Sequence, residues 1–180
     1  IKSTPITYKG TINFKPFDFL ITIDSKKINF SYIWKNLYLI NELISTKILP
    51  NQNLYGKISI SSKNITKNKY IDQVGININF KESDINLDNT RFYSDKFGEI
   101  EFYQSKLQSN QGLARLSSKV RVKIKDKDLF YKNFLIPKNA RKKITNLIFD
   151  ISFQLDNRLI NVNKILFEDE NGQIKNFDTI

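Results

Sequence analysis

The chain of 180 residues contains no histidine and no cysteine, and it carries a formal net charge of +11. Without histidine the usual general base at neutral pH is missing. Without cysteine there is no thiolate nucleophile, no soft metal ligand and no disulfide. Ser-His-Asp catalysis is therefore excluded, and we expect neither an enzyme nor a bound metal or cofactor. A content of 40% hydrophobic and 13% aromatic residues is enough to build a buried core.

The positive charge comes mainly from lysines that are scattered along the chain, which is also rich in asparagine and isoleucine. This composition is typical of proteins encoded by an AT-rich genome, so the charge is weak evidence for a nucleic-acid partner. We expect no nucleic acid among the partners and keep a basic nucleic-acid binder as one alternative. The chain begins with Ile1 and ends on Ile180 without a polar tail, and we interpret it as a segment of a longer protein.

Period-two alternation of apolar and polar residues is the main pattern and predicts β-strands. The predicted strands are Thr11–Phe14, Leu20–Asp24, Tyr55–Ser61, Val74–Phe80, Ile85–Leu87, Ile100–Phe102, Val120–Ile124, Ile151–Leu155 and Ile160–Val162. Short polar turns such as Lys81–Asp84 and Asp156–Arg158 separate the runs, which favours antiparallel hairpins over β-α-β units. We therefore predict a mainly β fold with an antiparallel sheet, in a single β-rich segment covering residues 1–180.

Helical spacing interrupts the strands first at Ser31–Lys47, where Ser31 is the predicted N-cap. Such a helix usually covers a core, and the alternative is that its apolar side chains line an opening for an acyl chain. The candidate lid residues are Ile33, Trp34, Leu37 and Ile40.

A second interruption runs from Asp126 to about Ile144, with Asp128 as the predicted cap and Pro137 opening a further turn. The one dense basic cluster lies in this segment. Its members are Arg141, Lys142 and Lys143. Cations at a helix end complement the helix dipole, and the alternative is contact with lipid head groups.

Several acidic residues could form catalytic pairs only if burial raised one pKa. Glu82 and Asp84 lie in a predicted turn, and Glu168–Glu170 is a continuous acidic run. We interpret both groups as turn and surface residues. Asn64–Thr66 matches a glycosylation acceptor, and in so asparagine-rich a chain we interpret the match as chance.

The order of strands and glycines from about Asn53 to Phe167 resembles the C-terminal region of AsmA-like proteins of the Gram-negative envelope. The segments that carry the resemblance are Leu54–Ile60, Lys63–Ile65, Val74–Phe80, Asp84–Leu87, Gly98–Ile100 and Leu116–Val122. The resemblance implies a β-taco-like fold, a long curved antiparallel sheet with an apolar inner face. It also implies a periplasmic protein that is anchored in the inner membrane by an N-terminal helix and moves phospholipid toward the outer membrane.

The leading hypothesis is therefore that the chain binds or conducts phospholipid along an apolar sheet face. The candidate lipid-facing residues are Val74, Ile76, Ile78, Phe80, Ile85, Leu87, Ile100, Phe102, Val120, Val122 and Ile124. The main alternative is a structural β scaffold or adhesin-type domain with a closed core. The two differ in whether the apolar face is open or covered.

Overall fold

The computed structural model describes residues 6–35, 42, 52–110, 113–141 and 143–176. The strands are β1 Ile6–Phe14, β2 Phe17–Ser25, β3 Ile28–Asn29, β4 Tyr55–Ser62, β5 Ile65–Thr66, β6 Gln73–Lys81, β7 Asp84–Asn86, β8 Arg91–Ser94, β9 Gly98–Asn110, β10 Leu113–Ile124, β11 Ile144–Gln154, β12 Leu159–Asp169 and β13 Ile174–Asn176. The helices whose bounds lie within the described residues are α1 Phe30–Lys35 and α2 Lys127–Asn133, and α2 is followed by a 3₁₀ turn at Lys138–Ala140. The mainly β fold predicted from the sequence is confirmed.

One large sheet contains all the described strands except β3 and β5, which pair with each other in parallel. Its strand order is β1-β2-β4-β6-β7-β9-β10-β11-β12-β13, and β8 pairs with both β6 and β9. The prediction of a purely antiparallel sheet was wrong at one place, since β2 and β4 are parallel. Residues 26–54 join them, and a connection of this length lets the chain cross back and run in the same direction.

A β-bulge interrupts the pairing of β9 with β10. Ser117 pairs with Lys106 and Lys119 pairs with Tyr103, so that two residues of β9 lie opposite Ser118. Gln104, one of those two, has a backbone φ of 50°. Because of the extra residue, the side chains of β9 on the two sides of the bulge do not follow one continuous alternation. A bulge also bends the strand.

The helices occur in both predicted places, but their caps differ from the prediction. Asn29 rather than Ser31 precedes α1, and its Oδ1 accepts a hydrogen bond from the backbone N–H of Ser31 at 3.1 Å. Asp126 rather than Asp128 caps α2, since its Oδ1 accepts from the N–H of Leu129 at 2.9 Å. In both cases the cap is the residue directly before the helix, two positions earlier than predicted, and its side chain accepts from a free N–H group of the first turn. The part of the first predicted helix beyond Lys35 lies almost wholly outside the described residues.

Two buried clusters pack on one face of the sheet, which we call the inner face. One cluster lies toward each end of the strands. Cluster 1 consists of Phe80, Ile85, Leu107, Ala114, Leu116 and Leu155. Cluster 2 consists of Phe97, Ile124, Phe130, Tyr131, Ile144, Leu147 and Phe167. On β10 the clusters are eight residues apart, from Leu116 to Ile124, which corresponds to about 27 Å along a strand. The inner face between them is the region where a site can form.

Candidate functional site

An apolar trough of about 430 Å³ lies on the inner face of the sheet. Its lining residues are Ile28, Phe30, Ile65, Ile71, Val74, Ile76, Leu87, Thr90, Phe92, Ile100, Phe102, Leu116, Val120, Phe149, Ile151, Phe153 and Ile160. Strands β6 and β12 both contribute, although they are five positions apart in the strand order. In a flat sheet they would be about 24 Å apart. The sheet therefore curves around the trough.

Strand β3 and helix α1 line the side of the trough opposite the large sheet, through Ile28 and Phe30. Ile28 of β3 is held by β5, since its N–H donates to the carbonyl oxygen of Asn64 at 2.9 Å. At the other end of α1, Nη2 of Arg158 donates to the carbonyl oxygen of Lys35 at 3.3 Å. Phe30, the first residue of α1, lines the trough between these two attachments. Residues 28–35 therefore cross the trough, from their pairing with β5 at one end to the β11–β12 turn at the other.

Thr90 is the one hydroxyl-bearing residue in the trough lining contributed by the described part of the chain, and it is 2% exposed. Its hydroxyl donates to the carbonyl oxygen of Asn77 at 3.1 Å and accepts from the N–H of the same residue at 2.9 Å. Strand β6 pairs with β8 at Gln73–Gly75 and with β7 at Asn79–Lys81, so Thr90 fills the gap between these ladders. With that hydroxyl already engaged on the backbone, the lining is suited to hydrocarbon rather than to a polar substrate.

Replacing Thr90 by valine is expected to lower the free energy of unfolding by about 1–3 kcal/mol, because it leaves the backbone groups of Asn77 without their partner. Chemical denaturation in urea measures the change. Thr7→Val on the fully exposed strand β1 is the matched control and is expected to stay within about 0.5 kcal/mol of the parent. Equal stability of the two variants would contradict the role assigned to the hydroxyl.

The candidate lipid-facing residues separate into three groups. Those that line the trough are Val74, Ile76, Leu87, Ile100, Phe102 and Val120. Those that belong to cluster 1 or pack against it without lining the trough are Ile78, Phe80 and Ile85. Those that belong to cluster 2 or pack against it without lining the trough are Val122 and Ile124. The alternation thus identified the inner face, and cluster packing occupies its two ends.

Several lining residues lie beyond the predicted set. Three of them, Ile151, Phe153 and Ile160, are in predicted strands, where alternation places them on one face of a sheet. The sequence did not indicate that they line the same cavity as the residues of β6. Ile28 and Ile65 are in two-residue strands, which are too short to show any periodicity.

The lid and head-group candidates are only partly described. Ile33 and Trp34 lie within α1, but their side chains fall outside the described part, as do Leu37, Ile40 and Lys142 altogether. Arg141 is held within the fold. Its Nε donates to the carbonyl oxygen of Ile136 at 3.2 Å, and its guanidinium lies 5.4 Å from the ring centroid of Tyr131.

Lys143 extends into solvent with 86% of its side chain exposed, and its Nζ is 3.9 Å from Oε2 of Glu170. The basic run at 141–143 is therefore divided between an internal contact and an exposed side chain.

The acidic candidates lie in two turns and at the ends of the strands that flank them, since Asp84 begins β7 and Asp169 ends β12. Glu82 accepts a hydrogen bond from the hydroxyl of Tyr55 at 2.9 Å, and Oδ1 of Asp84 lies 3.3 Å from Nζ of Lys106. Asp169 accepts from Nζ of Lys175 and from two backbone N–H groups of its own turn, and these hydrogen bonds lower the pKa of Asp169. Within the described ranges no group of three or more acidic side chains is arranged to hold a metal ion.

The outer face of the sheet carries a charged groove of about 450 Å³. Arg91 donates to Oε1 of Glu101 from Nε at 3.2 Å and from Nη2 at 2.8 Å, and these hydrogen bonds raise the pKa of Arg91. The side chains of Arg91 and Arg121 are 44% and 42% exposed. Exposed ion pairs of this kind contribute about 0–1 kcal/mol each. This face is a solvated polar surface, in contrast to the trough.

No helix in the described part of the chain has the length and hydropathy needed to span a membrane. No family model, curated protein or solved structure matches the chain. The resemblance to AsmA-like proteins therefore stays a prediction from the sequence.

Proposed function

We propose that the chain binds the acyl chains of phospholipid in the trough and, as a segment of an AsmA-like envelope protein, conducts phospholipid between the two membranes. The observation that carries this proposal is a trough of about 430 Å³ left unfilled between two packed clusters and lined by apolar side chains. Protein interiors are packed as closely as organic crystals. A space of this size is within the range of ligand sites, roughly 300–1,000 Å³.

The chemistry of the lining favours a lipid tail over other small molecules. Thr90 is already paired with the backbone of Asn77, so a polar ligand would lose its hydrogen bonds to water on entering. A hydrocarbon chain gains roughly 0.8 kcal/mol for each methylene group removed from water. The polar head group of such a ligand stays at the surface.

The apolar face continues from the trough to the edge of the sheet, which supports conduction as well as binding. Tyr8, Ile23, Ile60 and Ile76 are cross-strand neighbours on β1, β2, β4 and β6. Cross-strand partners share one face of a sheet. Tyr8, at the edge, is 79% exposed. A row of apolar side chains therefore leads from solvent at β1 to the trough at Ile76.

The competing function is a structural scaffold. It is favoured by clusters 1 and 2, which are packed as in any β domain, and by α1, which covers part of the inner face. A scaffold needs no ligand, so it predicts that the protein purifies without lipid and that a hydrocarbon probe does not saturate.

The decisive experiment is native mass spectrometry of the gently extracted protein, followed by titration with fatty acids of increasing chain length. We expect co-purifying phospholipid. We also expect an affinity that rises by up to about fourfold per added methylene and levels off once the trough is full. Absence of both co-purifying lipid and saturable fatty-acid binding would overturn the proposal and favour the scaffold.

A further inference from the structure

The C-terminal end of α2 presents a leucine to solvent in an unfavourable backbone conformation. The N–H of Ile136 donates to the carbonyl oxygen of Tyr131 at 2.9 Å, and the N–H of Leu135 donates to that of Lys132 at 3.3 Å. These two bonds form a Schellman motif, in which the residue at the position of Leu135 is usually glycine. Leu135 has a φ of 54° and is 88% exposed. A large apolar side chain is thus held in water at a position where glycine costs less.

The base of this exposed tip packs against cluster 2. The ring of Phe134 lies 4.7 Å from that of Phe130 and 6.2 Å from that of Phe97, which are both buried members of cluster 2. Phe134 itself is 51% exposed. The tip therefore combines an aromatic ring that packs on cluster 2 with the projecting side chain of Leu135.

Three lysines lie close to the tip in the described part of the chain. Phe134 borders a hollow of about 200 Å³ together with Lys69, Tyr70 and Lys96. The ammonium groups of the two lysines lie 4.9 and 5.5 Å from the centroid of the Tyr70 ring. Lys132 precedes the tip on α2 and is exposed.

These lysines form no close ion pair with the acids of the described residues. Across the described ranges no carboxylate lies within 4.0 Å of the ammonium groups of Lys69, Lys96 or Lys132. Asp72, the acid that follows Lys69 in the chain, accepts a hydrogen bond from the backbone N–H of Asp95 at 2.7 Å. The surface around Phe134 and Leu135 is therefore apolar at its centre and positive at its rim.

We propose that this surface, the α2 tip formed by Phe134, Leu135, Tyr70, Lys69, Lys96 and Lys132, docks the protein onto an anionic lipid bilayer. Apolar side chains enter the interfacial layer, and lysines near it are attracted to anionic head groups. A bilayer accommodates a small projecting tip, whereas a specific protein partner needs a surface of roughly 800 Å². The inference concerns a different surface from the trough and does not require the trough to hold lipid.

The first test is Leu135→Gly in a vesicle-flotation assay. Binding to vesicles of phosphatidylcholine with phosphatidylglycerol is expected to fall about tenfold, because the variant loses the inserted side chain. The melting temperature is expected to rise, because glycine accepts the positive φ. A loss of binding with a gain in stability cannot be caused by unfolding. Unchanged binding of this variant would overturn the proposal.

The second test concerns charge. Lys69→Gln with Lys96→Gln is compared with the equally charged control Lys57→Gln with Lys164→Gln, two exposed lysines on the strands of the sheet. Only the first pair is expected to weaken flotation with anionic vesicles, and neutral phosphatidylcholine vesicles are expected to bind weakly throughout. Three results would each overturn the proposal. They are an equal loss of vesicle binding in both double variants, equal binding to neutral and anionic vesicles, and binding of duplex DNA in place of vesicles. Fatty-acid binding by the Leu135→Gly protein reports separately on the trough.

Discussion

Gly98→Ala is expected to lower the free energy of unfolding by about 3 kcal/mol or more. Gly98 opens β9 with a φ of 124°, and a Cβ atom there would lie 2.0 Å from the carbonyl oxygen of Lys123 and 2.9 Å from the backbone nitrogen of Lys125. Both contacts are with backbone atoms, one at the end of β10 and one in the residue that follows it, so relief requires moving β9 away from the end of β10. A urea denaturation curve, together with the yield of folded protein, measures the effect.

Gly75→Ala is the matched control for this substitution. Gly75 lies within β6, and a Cβ atom built on it would have no neighbour within 4 Å. Its replacement by alanine is expected to change stability by no more than about 0.5 kcal/mol. If both glycines tolerated alanine equally, the close approach of β9 to β10 at Gly98 would be wrong.

Filling the trough is expected to reduce bound phospholipid and fatty-acid affinity by more than about tenfold, while leaving the fold intact. The variant is Ile76→Trp combined with Ile151→Trp, which adds one indole ring to the trough from β6 and one from β11. Stability is expected to be unchanged or higher, because the rings occupy unfilled apolar space. Lipid content by native mass spectrometry and thermal unfolding are measured on the same preparations.

Thr22→Trp is the control for the filled trough. Thr22 lies on β2 between Ile21 and Ile23, which share the inner face with their β4 neighbours, so its side chain is on the outer face. The same indole ring there is expected to leave lipid binding unchanged. Retention of lipid by the filled variant would show that the ligand lies elsewhere, and loss of lipid in the control would show a general effect of the added tryptophan.

The inner face of the sheet was predictable from the sequence wherever alternation continues without interruption. Val74, Ile76 and Val120 follow strict alternation, and all three line the trough. On β9 the pattern stops after Phe102 because the bulge at Gln104 shifts the next inward positions to odd numbers, as at Leu107. Because of this single extra residue, period-two alternation did not predict the second half of β9.

The trough itself was not predictable, because it depends on contacts between distant segments. Alternation assigns Ile76 and Ile151 to a sheet face, but not to the same cavity. The parallel pairing of β2 with β4 and the two-residue pairing of Ile28 with Ile65 depend on how residues 26–54 return to the sheet. Helix caps were displaced by two residues because asparagine and aspartate upstream competed with the predicted cap residues.

The bulge opposite Ser118 also separates two properties of the trough, the curvature of its wall and the size of its lining side chains. A bulge bends the sheet through its backbone, so part of the curvature that encloses the trough is independent of the side chains lining it. Lining residues such as Ile100 and Val120 lie on the same two strands, close to the bulge but not in it. Exchanging them for larger or smaller apolar residues would change the width of the trough while the curvature of the sheet stays the same. The width of the trough can therefore change through substitutions in its lining without a change of fold.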